Sequence, residues 1–502
     1  MVKKIKNIFI LVLTLALVFS FVGCSSGSGS AEEGNSNNNT VNYVPPELIG
    51  SITISSYNAE YTAKDPYGNN ENIEDDNDLF LFTQAYALQY PSVDVQLDAL
   101  LNYNDYFETL DSRIESGEIG DVALISSSKL SEYVEKGWLV DLTSDANGVI
   151  DYTDSEFGKL YPENIYLKSA YEASCYEGRL YMCPVEYNNK VVILNIDMLV
   201  EAGIENPVPD DDWTWDQLIE YAEKLNANGV ESPVLMNYTD YSIWGAFAMG
   251  FGEKLYNEVD FADKTTELNI TDPDVIEGFR YFADNFLRTG FVDTKNTTET
   301  VKGEDISKYG IIVCDHADVV RWNAALSLEK DSADYFDWEF AHFPGFEAED
   351  GTICKNIGVD TLGFAVINKD AINADETENE ESSEEEATDK IKIAKSLALY
   401  AMVEEAAIQY AGEEGFKIPA LIDVNSKKFW REYPISGKNT AVFSLYSEFD
   451  YPAVLTSFMN WDASVEIRDT IADIFKVYAE DATITHIDDL LQVLQDAANA
   501  AS

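Results

Sequence analysis

From residue 50 onward the chain switches repeatedly between two side-chain periodicities, and this alternation limits the possible folds more than any other feature. Ile52-Thr53-Ile54-Ser55 alternates apolar and polar residues as a strand does, whereas residues 78–90 place Leu79, Phe82, Tyr86 and Tyr90 at helical spacing before Pro91. Val93, Val95 and Leu97 alternate again, and Phe107, Leu110 and Ile114 share one helical face within 104–116. Residues 121–125 form a short apolar run suited to a strand covered on both sides, and 129–136 reads as a helix ended by Gly137. Strand-like runs return at 181–185, 191–195 and 362–367, and amphipathic helical ones at 214–228, 274–288 and 390–410. Thr214 and Gln217 have the spacing of a capping box, and Asp210-Asp211-Asp212 ahead of them suits a turn at the positive end of a helix. The pattern predicts an α/β fold with mostly parallel sheets and right-handed crossovers.

The first residues do not share it. Lys3, Lys4 and Lys6 precede an apolar run from Ile8 to Val22, which falls short of the ~20 residues a membrane-spanning helix needs. Phe21-Val22-Gly23-Cys24-Ser25 follows and looks like a bacterial lipobox, so 1–23 is expected to be a lipoprotein signal peptide and Cys24 the site of lipidation. Residues 24–49, rich in Ser, Gly and Asn, are expected to form a flexible tether to the outer face of the cell membrane.

The whole chain carries 33 Lys+Arg against 91 Asp+Glu, a formal charge of −58 that argues against nucleic-acid binding. The dense acidic stretch 370–389, with hardly an apolar side chain, is expected to be a disordered surface insertion. With Cys24 lipidated, Cys175, Cys183, Cys314 and Cys354 remain, as buried thiols or as disulfides, without CxxC spacing. His316, His342 and His486 are scattered, so no metal site and no cofactor is expected.

Residues 176–229 carry a further pattern. Tyr176-Glu-Gly-Arg-Leu-Tyr-Met-Cys-Pro-Val-Glu186 is followed by Leu194-Asn195-Ile-Asp197-Met-Leu199, Glu201-Ala-Gly203, Pro207 and Trp213-Thr-Trp215-Asp-Gln-Leu218. Tyr90-Pro91, Gly120-Asp-Val122 and Gly137-Trp-Leu-Val-Asp-Leu142 precede them, and Trp244-Gly245, Gly310-Ile-Ile-Val313 and Trp322 follow. This order resembles family 1 extracellular solute-binding proteins, the maltodextrin-binding-like receptors of bacterial ABC sugar importers. The resemblance implies a two-lobed, periplasmic-binding-protein-like fold with an interlobe cleft and three crossovers. The lobes would be 50–190 with 345–405, and 195–340 with 410–502. It also implies a monomeric, non-enzymatic receptor that passes a sugar or oligosaccharide to the transmembrane subunits of an ABC permease.

Sugars present apolar C–H faces and rings of hydroxyls, so a receptor needs aromatic plates and fixed polar groups where strands give way to loops. On the first lobe Tyr57 and Asn58, Ser126 and Ser127, Glu186 and Tyr187, and Gly358 and Asp360 occupy such places. On the second lobe Tyr238, Tyr241, Trp244, Asp315, Trp322 and Trp461 do. By the resemblance Tyr241, Trp244, Trp322 and Trp461 stack on sugar and Glu186 accepts from hydroxyls, while Trp138, Trp213 and Trp215 sit beside structural motifs. The acidity leaves open a receptor for a polyamine, peptide or other polar solute. Paired carboxylates leave open a surface glycoside hydrolase, although no GxSxG nucleophile elbow is present from residue 50 onward.

Overall fold

The chain divides into Met1–Pro45 and Pro46–Ser502. A computed structural model describes residues 48–57, 78–99, 101, 103–143, 166–252, 255, 268–348, 350–372, 384–402, 407–408, 410, 417–425, 438–444, 451–452 and 461–501. The expected signal peptide, Cys24, the tether up to residue 47 and Asn58 lie outside these residues.

Two sheets organise the body. The six-stranded one contains Gly50–Ser55, Val93–Asp98, Val122–Ser126, Met182–Asn188, Gly358–Val366 and Tyr451–Pro452. Gly50–Ser55 runs parallel to Val93–Asp98 and to Val122–Ser126, so the C-terminal ends of all three strands open at one edge. Gly358–Val366 returns antiparallel between Val122–Ser126 and Met182–Asn188, with an irregularity at Leu362 and Gly363. The four-stranded sheet has Lys190–Asn195 antiparallel to both Trp338–His342 and Ile311–Asp315, with Val234–Leu235 parallel to the last. A mostly parallel arrangement was expected here. Lys190–Asn195 enters from the other sheet through Asn189 and runs opposite to the neighbours on both of its sides, which leaves the parallel pairing to Val234–Leu235 with Ile311–Asp315.

Helices cover the sheets where the periodicity placed them. Asp78–Gln89 buries Leu79, Phe82 and Tyr86 against the first sheet, with the Phe82 ring 5.4 Å from that of Phe364. Trp215–Ala227 begins with the expected capping box: the Thr214 amide donates to Gln217 Oε1 at 2.9 Å and the Gln217 amide to Thr214 Oγ1 at 3.3 Å. Tyr241–Ala248 and Pro273–Phe282 cross so closely that a Cβ at Gly278 would overlap the Phe247 carbonyl. Trp461–Glu480 and Asp488–Ala501 pack together and against the 273–287 region.

Two expectations shift. A helix spans Lys369–Ile372 and another spans Glu384–Tyr400, so both ends of the supposedly disordered 370–389 are helical, and residues 373–383 lie outside the described residues. An acidic sequence is compatible with the positive end of a helix, which explains the early start at 384. Residues 410–502 were assigned to the second lobe, yet the Tyr187 amide donates to the Ile418 carbonyl at 2.8 Å and Tyr451–Pro452 pairs with Gly358–Val359 of the first sheet. Between those two segments Thr440–Ser444 packs on the second sheet, so the last passage between the sheets is made more than once. The edge amides and carbonyls of Met182–Asn188 need partners, and residues 418–420 supply them. The four cysteines are free thiols, with Cys175, Cys183 and Cys314 buried.

Candidate functional site

The chain passes from the first sheet to the second at Asn188-Asn189-Lys190, and the polar candidates gather around this passage. Glu186 lies two residues before Asn188 and is 7% exposed. Its carboxylate accepts from the Tyr57 hydroxyl at 2.9 and 3.0 Å and from the Tyr410 hydroxyl at 2.8 Å. Lys417 places its ammonium 3.9 Å from the Tyr410 ring centre and 6.0 Å from that of Tyr57, so the carboxylate is enclosed by two phenols with a cation beside them. Burial first, then the Glu186 charge, pushes the Tyr57 hydroxyl far above the usual phenol range, which keeps it a donor.

Asp360 begins the antiparallel return, opposite Asn188. It accepts from Ser127 Oγ, from Ser126 Oγ at 3.2 Å and from the Thr361 amide at 2.8 Å. Burial raises its pKa, offset in part by the Ser127 hydrogen bond. Gly358, two residues earlier, meets the second lobe: a Cβ there would lie 2.5 Å from the Ser242 Cα, so only glycine permits the approach.

On the second sheet Lys190 and Asp315 face each other in register, with Lys190 Nζ 3.0 Å from Asp315 Oδ2. The Asp318 amide donates to Asp315 Oδ1 at 2.9 Å and the Asp315 amide to Asp318 Oδ2 at 3.3 Å, while Arg321 pairs with Asp318. Burial works against charge on Lys190 and Asp315 alike. Their mutual attraction outweighs it, lowering Asp315 and raising Lys190. Asp318 is pushed up to about 7 by burial and then by the negative charge of Asp315. Asn188 Oδ1 ties this cluster to the passage, accepting from the His316 and Ala317 amides at 2.9 and 3.3 Å.

The structure therefore brings together Tyr57, Ser127, Glu186, Asp315 and Asp360 from both sheets. The aromatic candidates Tyr238, Tyr241, Trp244 and Trp322 of the second lobe are buried, although Ser242, next to Tyr241, lies against Gly358 of the first sheet. Tyr241 and Trp244 are on one helix, with the Trp244 indole, 1% exposed, lying 5.7 Å from the Phe279 ring in stacked geometry and Tyr241 edge-on to it at 4.9 Å. Trp322 is also 1% exposed and donates from Nε1 to the Val301 carbonyl at 3.2 Å. Tyr238 donates to the Thr294 carbonyl at 3.3 Å. Trp461 opens a helix, and its side chain lies outside the described residues. Trp213 and Trp215 are core, as their motifs implied, with Trp215 ringed by Phe247, Phe286 and Phe343.

Five residues around the site were not among the candidates: Tyr103, Lys190, Asp318, Tyr410 and Lys417. Tyr103 follows the strand Val93–Asp98 and could have been found by the strand-end rule that selected Tyr57. Its ring is 5.1 Å from that of Tyr57, and burial, then Asp360, Asp315, Glu186 and Asp318, hold its hydroxyl protonated far above the usual phenol range. Tyr410 and Lys417 come from a segment whose return to the first sheet had no sequence signal.

Among the described residues no group of His, Cys, Asp and Glu has the geometry to hold a metal ion, and no helix is long and apolar enough to cross a membrane.

Solved structures share this fold over most of the chain. An ABC substrate-binding protein from Listeria monocytogenes in complex with cycloalternan matches with a TM-score of 0.58 and 20% identity, covering 90% of this chain and 98% of its own. The cyclic α-maltosyl-1,6-maltose binding protein of Arthrobacter globiformis matches with a TM-score of 0.62 and 16% identity, over 90% and 99% of the two chains. A maltodextrin binding protein from L. casei, solved without ligand, gives 0.60 and 14% over 90% and 99%. All three are two-lobed binding proteins. Residues 77–371 match the sequence family described as bacterial extracellular solute-binding protein, and the chain belongs to that family.

Proposed function

We propose that this chain is the substrate-binding component of an ABC importer, capturing a sugar or oligosaccharide where the two sheets meet and delivering it to a membrane permease. The observation that carries this reading is the convergence of Tyr57, Glu186 and Tyr410 with Ser127 and Asp360 at one sheet edge, facing Lys190 and Asp315 of the other sheet. Buried carboxylates already ordered by hydroxyl donors retain lone pairs for the hydroxyls of a sugar, and the cost of positioning them is met by the fold itself. The cycloalternan, cyclic maltosyl-maltose and maltodextrin named for the relatives support a saccharide. Trp244 and Trp322 act from behind the site by packing the second lobe, and Trp461 keeps its proposed place as a stacking residue.

A second reading has its own support. Glu186, Asp360, Asp315 and Asp318 outnumber the nearby cations Lys190, Arg321 and Lys417, a balance that favours a cationic solute such as a polyamine. A thermal-shift screen separates the two, because a ligand that binds only the folded state raises the melting temperature. Neutral oligosaccharides should stabilise the protein; stabilisation by spermidine with none by saccharides would sink the sugar reading. The order basic, apolar, Gly23-Cys24 motivates a further proposal, a lipid anchor at Cys24. Cys24→Ala should move the protein from the membrane fraction to the medium or leave it unprocessed, and unchanged partitioning would refute the anchor.

A further inference from the structure

We propose that Tyr103 is the ligand-facing ring of this site, the plate on which one face of a pyranose lies while carboxylates from both sheets accept its hydroxyls. This rests on the saccharide reading above and adds to it a binding residue and a geometry.

Position argues for it first. Tyr57, Tyr103 and Ser127 follow three mutually parallel strands, Gly50–Ser55, Val93–Asp98 and Val122–Ser126, and so stand at the same edge of the first sheet. Ring contacts argue next. Tyr57 meets Tyr103 edge-on at 5.1 Å and 67°, and Phe107, one turn further along the helix Tyr103–Glu115, meets it at 4.8 Å and 55°. Two rings therefore fix the orientation of Tyr103, and a plate whose rotamer is already set loses little entropy when a ligand covers it. Exposure separates it from the alternatives. Tyr57, Tyr241, Trp244 and Trp322 are buried, whereas Tyr103 is only partly covered by the core.

Electrostatics complete the case. The Tyr103 hydroxyl feels Glu186 and Asp360 of the first sheet together with Asp315 and Asp318 of the second. A ring in that position can offer its face to C–H groups while the carboxylates around it take hydroxyl protons from the edge of the same sugar.

The test is calorimetric titration of maltose, maltotetraose and a cyclodextrin into the full extracellular chain and its variants, with the ligand-free melting temperature measured for each. Tyr103→Ala and Tyr103→Leu should weaken saccharide binding about tenfold, the scale of one lost ring contact, and Tyr103→Phe and Tyr103→Trp should stay near the parent. Tyr103→Leu keeps bulk without a π face, so it remains informative even where the alanine variant melts early. Parent-like binding by Tyr103→Leu would overturn the proposal, as would a Tyr103→Phe as weak as the leucine variant, since the hydroxyl and not the ring would then be the contact. If none of the saccharides binds the parent, the sugar reading itself fails, and the assignment of Tyr103 falls with it.

Discussion

The two lobes treat their aromatic residues in opposite ways. At the edge of the first sheet Tyr57, Tyr103 and Phe107 form a cluster that remains partly open and is bonded to a carboxylate. In the second lobe Tyr241, Trp244 and Trp322 lie within the interior, Trp244 on Phe279 and Trp322 bonded to a backbone carbonyl. Both sets follow strands or open helices, and both would be chosen by a rule that looks for aromatics at strand ends. The difference is what lies behind them. The first sheet is covered there by a helix whose own first residue is Tyr103, so its rings sit at an edge. The second is backed by helices that pack backbone to backbone at Gly278, leaving an interior that only large rings fill.

The largest effect expected from this contrast is on stability. Trp244→Ala and Trp322→Ala each remove a fully buried indole and should cost roughly 3–5 kcal/mol of folding free energy, measured by denaturant unfolding without ligand. Tyr103→Leu, at a partly open edge, should cost far less. A Trp322→Ala variant that unfolds like the parent and yet loses saccharide affinity would return Trp322 to the ligand and break the contrast.

Much of the fold was legible because burial imposes periodicity. Leu79, Phe82 and Tyr86 mark a helix, and Val122 to Ile125 mark a strand covered on both faces, without any knowledge of their partners. Thr214 and Gln217 give the start of a helix to the residue. The site was legible only in part, because its polar residues carry no period. Glu186, Asp360 and Ser127 were found from their places at strand ends, but Tyr410, with Lys417 over its ring, reaches Glu186 from more than two hundred residues away along the chain. That pairing depends on residues 418–420 returning to the edge of Met182–Asn188, a long-range event that local pattern does not encode. The antiparallel second sheet has a related reason: Lys190–Asn195 pairs with Ile311–Asp315 and Trp338–His342, strands more than a hundred residues on, and local pattern does not encode their direction.

The acids of the two lobes differ as well, and pH exposes it. Glu186 and Asp360 are held by neutral hydroxyls, whereas Asp315 and Asp318 share a cluster with Lys190, Arg321 and the nearby Asp240 and Glu299. Asp318, raised to about 7, holds a proton in the folded state that it has already lost in the unfolded chain above pH 3.8. Between those values the native state binds more protons, so the contribution of Asp318 to stability is full at acid pH and is lost as pH rises through about 7. Asp360 and Glu299, also raised, act in the same direction, and Asp315, lowered, acts in the opposite one. Melting temperature should therefore fall from about pH 5 to about pH 8. Asp318→Asn should flatten that slope. An unchanged slope in the variant would mean that Asp318 is ionised throughout, balanced by Arg321.

The smallest effects come from two helix caps, one in each lobe, and they give the cleanest separation of structure from binding. Ser126 caps Ser127–Glu135 by accepting from the Ser128 amide at 3.1 Å, and the same hydroxyl reaches Asp360 Oδ2 at 3.2 Å. Thr214 caps Trp215–Ala227 in the same manner but touches no residue of the site. Loss of either cap should cost about 1 kcal/mol of stability, since each leaves one amide of the first helical turn unpartnered. Only Ser126→Ala also releases Asp360 from one of its donors, which lets the carboxylate turn away from the position a ligand hydroxyl would meet. Calorimetry with a saccharide that binds the parent should find Thr214→Ala unchanged and Ser126→Ala a few-fold weaker, roughly the share of one hydrogen bond. Equal affinities for the two variants would mean that Ser127 and the Thr361 amide suffice to hold Asp360. The helix Ser127–Glu135 would then hold Asp360 through its first residue, Ser127, and not through its cap.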